Sequence, residues 1–131
     1  MANVFITCEI AFITCVNSAG NSLVIDPWKE KTVIAPKRGG ITGAFLKPIA
    51  LGNVNAYCEL VQGKIPVIGA GGIFLGTEVF EFLLAGASVV QVGTCFLKEG
   101  TGVFSRLENE FDFFMKEKGY AKTEEVIGRL C

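Results

Sequence analysis

PVIGAGGIFLGTEVFEFLLAGASVVQVGT, residues 66–94, decides the fold. Pro66 to Ala70 is a short apolar run of the kind that forms a buried parallel strand, and Gly71-Gly72 ends it. Thr77 is the expected N-cap of a helix over Glu78–Ala85, where Val79, Phe80, Phe82, Leu83 and Leu84 cover a sheet. Gly86 stops that helix as a left-handed C-terminal glycine. Ser88 to Val92 is a second buried strand, closed by Gly93-Thr94. Strand, helix and strand within about thirty residues make a βαβ unit, so the expected class is α/β with a parallel sheet.

Working outward, the tetrapeptide FITC occurs twice, at Phe5–Cys8 and Phe12–Cys15. Only the second copy runs into a polar turn, which places a strand at Ala11–Val16. The first copy reads as an edge segment or a non-native start, and residues 1–10 stay unassigned. In the turn Val16-Asn17-Ser18-Ala19-Gly20-Asn21, short polar side chains are what loops use. On residue type alone a loop is the favoured reading, and the other is that Asn17 and Ser18 present amide and hydroxyl groups to a ligand. Residues 22–37 are expected to form a β-hairpin insertion, with arms Leu23–Ile25 and Thr32–Ala35 around an Asp26-Pro27 turn. Trp28 at its tip is a packing residue or a partner contact. The glycine-dense Arg38–Gly43 permits close backbone approach, Ala44–Pro48 is a short strand or extended link, and Ile49–Val61 has helical spacing. Beyond the central unit, Val103, Phe104, Leu107, Phe111, Phe114 and Met115 define a helix over residues 102–118. Thr123-Glu124-Glu125 begins a last short one.

With 131 residues, half of them hydrophobic, the chain is long enough for one domain with a core. A net charge of −1 offers no footprint for nucleic acid or an anionic membrane. The absence of histidine excludes an imidazole base or ligand from within the chain. The five cysteines lack a CxxC pair, so zinc and disulfide frameworks are not expected, and free thiols are. No targeting or spanning segment is visible, and the expectation is a cytoplasmic protein.

Gly71-Gly72 and Gly93-Thr94 follow adjacent parallel strands. Converging N–H groups of such turns hold phosphate, and in β/α barrels this site follows the last two strands. For either pair alone a tight βα turn is the favoured reading, and only the two together weigh phosphate binding evenly against it. The dinucleotide fingerprint fails, because Gly69, Gly71 and Gly72 are followed by Ile73 and Phe74.

Taken in order, VNSAGN, GGITGAFLKPIALGNV, IGAGGI and AGASVVQVGT resemble the C-terminal part of class 1 dihydroorotate dehydrogenases, from about Phe12 to Leu130. The resemblance implies the last three βα units of an FMN-dependent (β/α)8 barrel that oxidises dihydroorotate to orotate in pyrimidine synthesis. Carried over by position, Asn17 and Ser18 bind the substrate, and Val16 and Gly43 contact the flavin. Gly71, Gly72, Gly93 and Thr94 then cradle the FMN phosphate. NSAGNSLVID and FMKEKGYAKTEE are similar to class 1A, soluble homodimers that use fumarate. The short GGITG turn is similar to class 1B, which passes electrons to NAD through a partner subunit. The family's cysteine base, in a Ser-Cys-Pro-Asn context, has no counterpart here. No catalytic residue and no metal ligand is therefore assigned. The chain alone is expected to be nearly inactive: a fragment, a truncated gene product or a remnant that binds FMN phosphate or a partner subunit. Another FMN barrel, such as the pyrimidine-reducing domain of dihydropyrimidine dehydrogenase, is the alternative resemblance.

Overall fold

The structure, a computed structural model, describes residues 2–131. In chain order the elements are α1 (Ala2–Thr7), β1 (Ile13–Cys15), β2 (Ala19–Ser22), β3 (Ile25–Asp26), β4 (Lys31–Thr32) and β5 (Gly39–Ile41). A 3-10 turn at Ala44–Leu46 leads into α2 (Lys47–Val61), followed by β6 (Val67–Ala70), α3 (Gly76–Leu84) and β7 (Val89–Gln91). The chain ends with α4 (Thr94–Glu99), α5 (Gly102–Glu117) and a 3-10 turn at Thr123–Glu125.

The expected βαβ unit is present. β6 is the centre of a three-stranded sheet in the order β1-β6-β7, and both pairings are parallel. Thr14, Ile68 and Val89 stand in one row across the three strands, and Cys15, Gly69 and Val90 in the next. The second row lies toward the helices: Cys15 and Gly69 are buried there. The first row belongs to the opposite face, where Val89 is 55% exposed. The strands expected to be buried are therefore covered on one face only, and β7 is largely exposed.

Phe82, Val67, Val54, Val61, Val103 and Leu107 fill the space between the sheet and α2, α3 and α5. A second cluster, Phe80, Leu83, Met115 and Val126, joins α3 to α5 and the C-terminal tail. Within it, the Phe80 and Phe114 rings meet edge to face with centroids 5.0 Å apart, a favoured aromatic geometry.

Several local expectations are corrected. The first FITC copy lies within and just beyond α1 rather than at a sheet edge. Phe5, Ile6 and Ile10 there pack against the core, with the Phe5 and Tyr57 ring centroids 6.3 Å apart. Ala44–Pro48 is a 3-10 turn and helix start, not an extended link, and Pro48 sits in the first turn of α2, where its missing N–H costs nothing. The hairpin is displaced by a residue or more: Ile25 pairs with Thr32 and Asp26 with Lys31. Below it, Ala19 pairs with Ile41 and Ser22 with Gly39 across an irregular step. Asp26 shapes the turn by accepting the N–H groups of Trp28 and Lys29 at 3.0 and 3.2 Å. Trp28 itself is 95% exposed, which removes the local packing role.

Thr77 is not the cap of α3. Leu75 occupies that position, and the Glu78 carboxylate reaches back to take the N–H groups of Phe74 and Leu75 at 2.6 and 3.0 Å. The last short helix is a single 3-10 turn. The expectation of free thiols fails for Cys58 and Cys131, which form a disulfide; Cys8, Cys15 and Cys95 are free. Residues 73 apart in the chain meet here because the tail runs back across α3, with the Gly128 and Leu130 N–H groups donating to the carbonyls of Leu83 and Leu84.

Candidate functional site

Each parallel strand delivers its C-terminal turn to the same place. Val16, Asn17 and Ser18 follow β1, Gly71 and Gly72 follow β6, and Gly93 and Thr94 follow β7. Together with Thr42 and Gly43 after β5, they line one cavity of about 600 Å³. All eight residues singled out from the sequence are in its wall. The crevice beyond the carboxyl ends of parallel strands is where α/β proteins place their ligands.

The turn after β1 is held by its own side chain. Asn17 Oδ1 accepts the Ser18 N–H at 2.7 Å, which leaves the amide nitrogen as its remaining donor. Gly40 lies directly against Ser18, and a Cβ at that position would overlap the Ser18 hydroxyl. The β5 segment therefore supports this turn from behind, through a contact 22 residues away in sequence.

The two glycine turns differ in what they need glycine for. Gly72 has a φ of +79°, and a Cβ there would stand 2.9 Å from the Lys47 nitrogen and 3.0 Å from the Gly43 carbonyl oxygen. Chain packing against residues 43–47 thus demands glycine, whatever the cavity holds. Around Gly93 nothing lies within 4 Å of an added Cβ, so the backbone there is open to a ligand. The Thr94 hydroxyl donates to Thr42 Oγ1 at 3.1 Å and joins the β7 turn to the β5 segment. Thr42 escaped the sequence reading, although its place beside Gly43 was the available signal. Phe104 and Gln91 also line the cavity and were not anticipated.

The lining contains no Asp, Glu, Lys, Arg or Cys. An anion would be met by backbone N–H groups and hydroxyls without a repelling carboxylate. The apolar part, with Leu46, Ile73, Val90 and Phe104, suits a flat aromatic group. A flavin mononucleotide combines those two features, and the donor set fits it.

Charged side chains frame the cavity from outside. Lys47 Nζ bridges Glu78 at 3.0 Å and Glu81 at 2.9 Å, tying α2 to α3. On the other flank, Arg106 of α5 pairs with Glu99 at 2.9 Å and with Glu110 at 2.7 Å. Burial pushes the Glu78 carboxyl up, but the Phe74 N–H, the Lys47 ammonium and the Leu75 N–H outweigh it and hold it below its ordinary 4.5. The Gly76 N–H and the Arg106 guanidinium lower Glu110 as well. Both carboxylates therefore stabilise the fold fully above pH 4.5, and that stability is lost as pH falls through their lower folded values. Melting temperature is expected to drop between about pH 5 and pH 3, with a shallower slope in Glu78→Gln. An identical slope in the variant would remove Glu78 from this account.

A parallel sheet with its helices on one face and a ligand cavity at its carboxyl ends is a segment of a (β/α)8 barrel. The solved dihydroorotate dehydrogenase of Eimeria tenella, in complex with ferulenol, superposes with a TM-score of 0.80 at 23% identity. That match covers 98% of this chain and 33% of the other, and establishes the fold. The sequence family described as dihydroorotate dehydrogenase matches residues 1–115, and the chain belongs to that family. A dihydroorotate dehydrogenase (fumarate) of Trypanosoma cruzi is 49% identical over 123 residues, covering 92% of this chain and 39% of that protein. A putative dihydroorotate dehydrogenase A (fumarate) of Streptococcus agalactiae is 47% identical over 131 residues, covering 98% and 42%. The chain thus spans about 40% of the length of these curated relatives. It corresponds to their C-terminal part. Among the described residues, no helix is long and apolar enough to cross a membrane.

Proposed function

We propose that this chain supplies the FMN phosphate cradle and the substrate-orienting turn of a class 1A dihydroorotate dehydrogenase. The whole enzyme oxidises dihydroorotate to orotate, with fumarate as electron acceptor, as a cytoplasmic homodimer in pyrimidine synthesis. The observation that carries this reading is the convergence of Asn17, Ser18, Gly43, Gly71, Gly72, Gly93 and Thr94 on one cavity. The fumarate enzymes among the relatives support the acceptor.

FMN, when bound, supplies hydride acceptance. The chain's own residues do the holding. N–H groups at Gly71, Gly72, Gly93 and Thr94 would hold the phosphate, and the backbone at Val16 and Gly43 would contact the ring system. Asn17 and Ser18 orient the substrate's carboxylate and ring through amide and hydroxyl donors, which lowers the entropy cost of the reactive alignment. No side chain suited to removing a proton lines the cavity. Cys15 and Cys95 are buried, and that burial pushes both thiols up, away from the thiolate form. The general base is therefore assigned to a segment that does not line this cavity.

Purified and titrated with FMN, the chain is expected to bind the cofactor, read by its visible absorption band. Dihydroorotate turnover should stay about 10²–10⁴-fold below that of a homologue carrying the base. Turnover equal to such a homologue, without any added polypeptide, would overturn the assignment of the base to another segment. Failure to bind FMN would overturn the cradle.

A further inference from the structure

The two glycine turns of the cavity leave neighbouring strands that are paired up to Ala70 and Gln91, so beyond that pairing their spacing depends on what connects the segments that follow them. Phe74–Gly76 continues from Gly71-Gly72, and α4 continues from Gly93-Thr94. One side chain on α5 grips both. Arg106 places its planar fork on Glu99 of α4, with Nε–H donating to Oε2 and Nη2–H to Oε1, both at 2.9 Å. The same Nη2 donates to the Phe74 carbonyl at 3.1 Å and approaches Cys95 Sγ at 3.4 Å. Nη1 donates to Glu110 Oε1 at 2.7 Å, while Glu110 Oε2 accepts the Gly76 N–H at 2.8 Å. Each partner is an atom of one of the two segments, or is bonded to one. Phe104, two residues earlier on α5, is itself in the cavity wall.

We propose that Arg106 is a positioning residue: it sets the distance between the Gly71-Gly72 and Gly93-Thr94 turns so that their donors converge on one phosphomonoester. The inference rests on the phosphate-cradle reading and adds the part that tunes it. Lysine cannot replace it, because a single ammonium lacks the fixed fork that engages Glu99, Glu110 and Phe74 at once. The ring-binding part of the cavity, formed by the β1 turn and Gly43, is untouched by Arg106. The residue therefore affects ligands with a phosphate and spares those without one.

Riboflavin carries the ring system of FMN and lacks the phosphate, which makes the pair a direct probe. Dissociation constants for both are measured on the chain by quenching of flavin fluorescence, alongside melting temperature. The wild type is expected to prefer FMN. In Arg106→Met the FMN constant should rise about tenfold or more while that of riboflavin stays within about twofold. Arg106→Lys should fall between wild type and Arg106→Met, and Glu110→Gln should shift the same ratio in the same direction. Should Arg106→Met not fold, the Lys and Gln variants carry the test. No FMN preference in the wild type would sink the cradle and this inference together. A wild-type preference that every folded variant keeps would leave the cradle standing and overturn the role of Arg106. Equal weakening of both ligands, tracking a lower melting temperature, would reduce Arg106 to a structural tie and overturn it too.

Discussion

Replacing Phe82 with alanine is expected to cost about 3–5 kcal/mol of folding stability. Phe82 is fully buried on the sheet side of α3, packed against the strand at Gly69 and against Ala87. Removing the ring loses its transfer free energy and leaves a cavity that two backbone-rich neighbours cannot collapse to fill. Domains of this size hold about 5–15 kcal/mol in total, so the variant should be largely unfolded at moderate urea. Leu97→Ala, at a side chain 83% exposed, serves as the control and should stay within about 0.5 kcal/mol of wild type. A Phe82→Ala midpoint equal to wild type would contradict the core described for α3.

Cys131→Ser is the second large effect. The Cys58–Cys131 bridge closes a loop between residues 73 apart, and the chain-entropy model assigns such a constraint about 4 kcal/mol. The tail keeps other attachments, among them buried Val126 and the hydrogen bond from Asn55 Nδ2 to the Leu130 carbonyl at 3.1 Å. Loss of the bridge should therefore lower the melting temperature by about 10 °C or more without releasing the rest of the domain. Dithiothreitol should bring the wild type down to the variant and leave the variant unchanged. A wild-type melt indifferent to reductant would show that the bridge contributes nothing.

The central βαβ unit was legible because its signals are local. Apolar runs, a helical stripe and glycine punctuation all lie within residues 66–94, and each acts within a few residues of itself. Helices α2 and α5 were legible for the same reason. The misses have other causes. Ile and Phe in the first FITC copy carry strand propensity, yet the segment is helical and packs against α2, where Phe5 meets Tyr57. The cap of α3 was assigned to Thr77 because side-chain type alone favours threonine. Glu78 does that work from inside the helix, with Lys47 of α2 holding its other oxygen. Cys58 and Cys131 gave no spacing signal, since a bridge across residues 73 apart depends on where the tail docks.

For the site, the polar turn after β1 and the glycine turns after adjacent strands named the place, since all of them line one cavity. The sequence by itself determined the parallel βαβ unit, the helical stripes and the membership of the family, all written in short-range pattern and motif. Only the tertiary structure decided that Gly72 is required by Lys47 and Gly43, that Gly40 makes room for Ser18, and that Arg106 ties Phe74 to Glu99. Those facts depend on distances between segments far apart in the chain, and no periodicity within a segment encodes them. The Pro66–Thr94 stretch thus supplies two turns to the cavity, while Arg106 on a helix outside it is bonded to the segments that follow both.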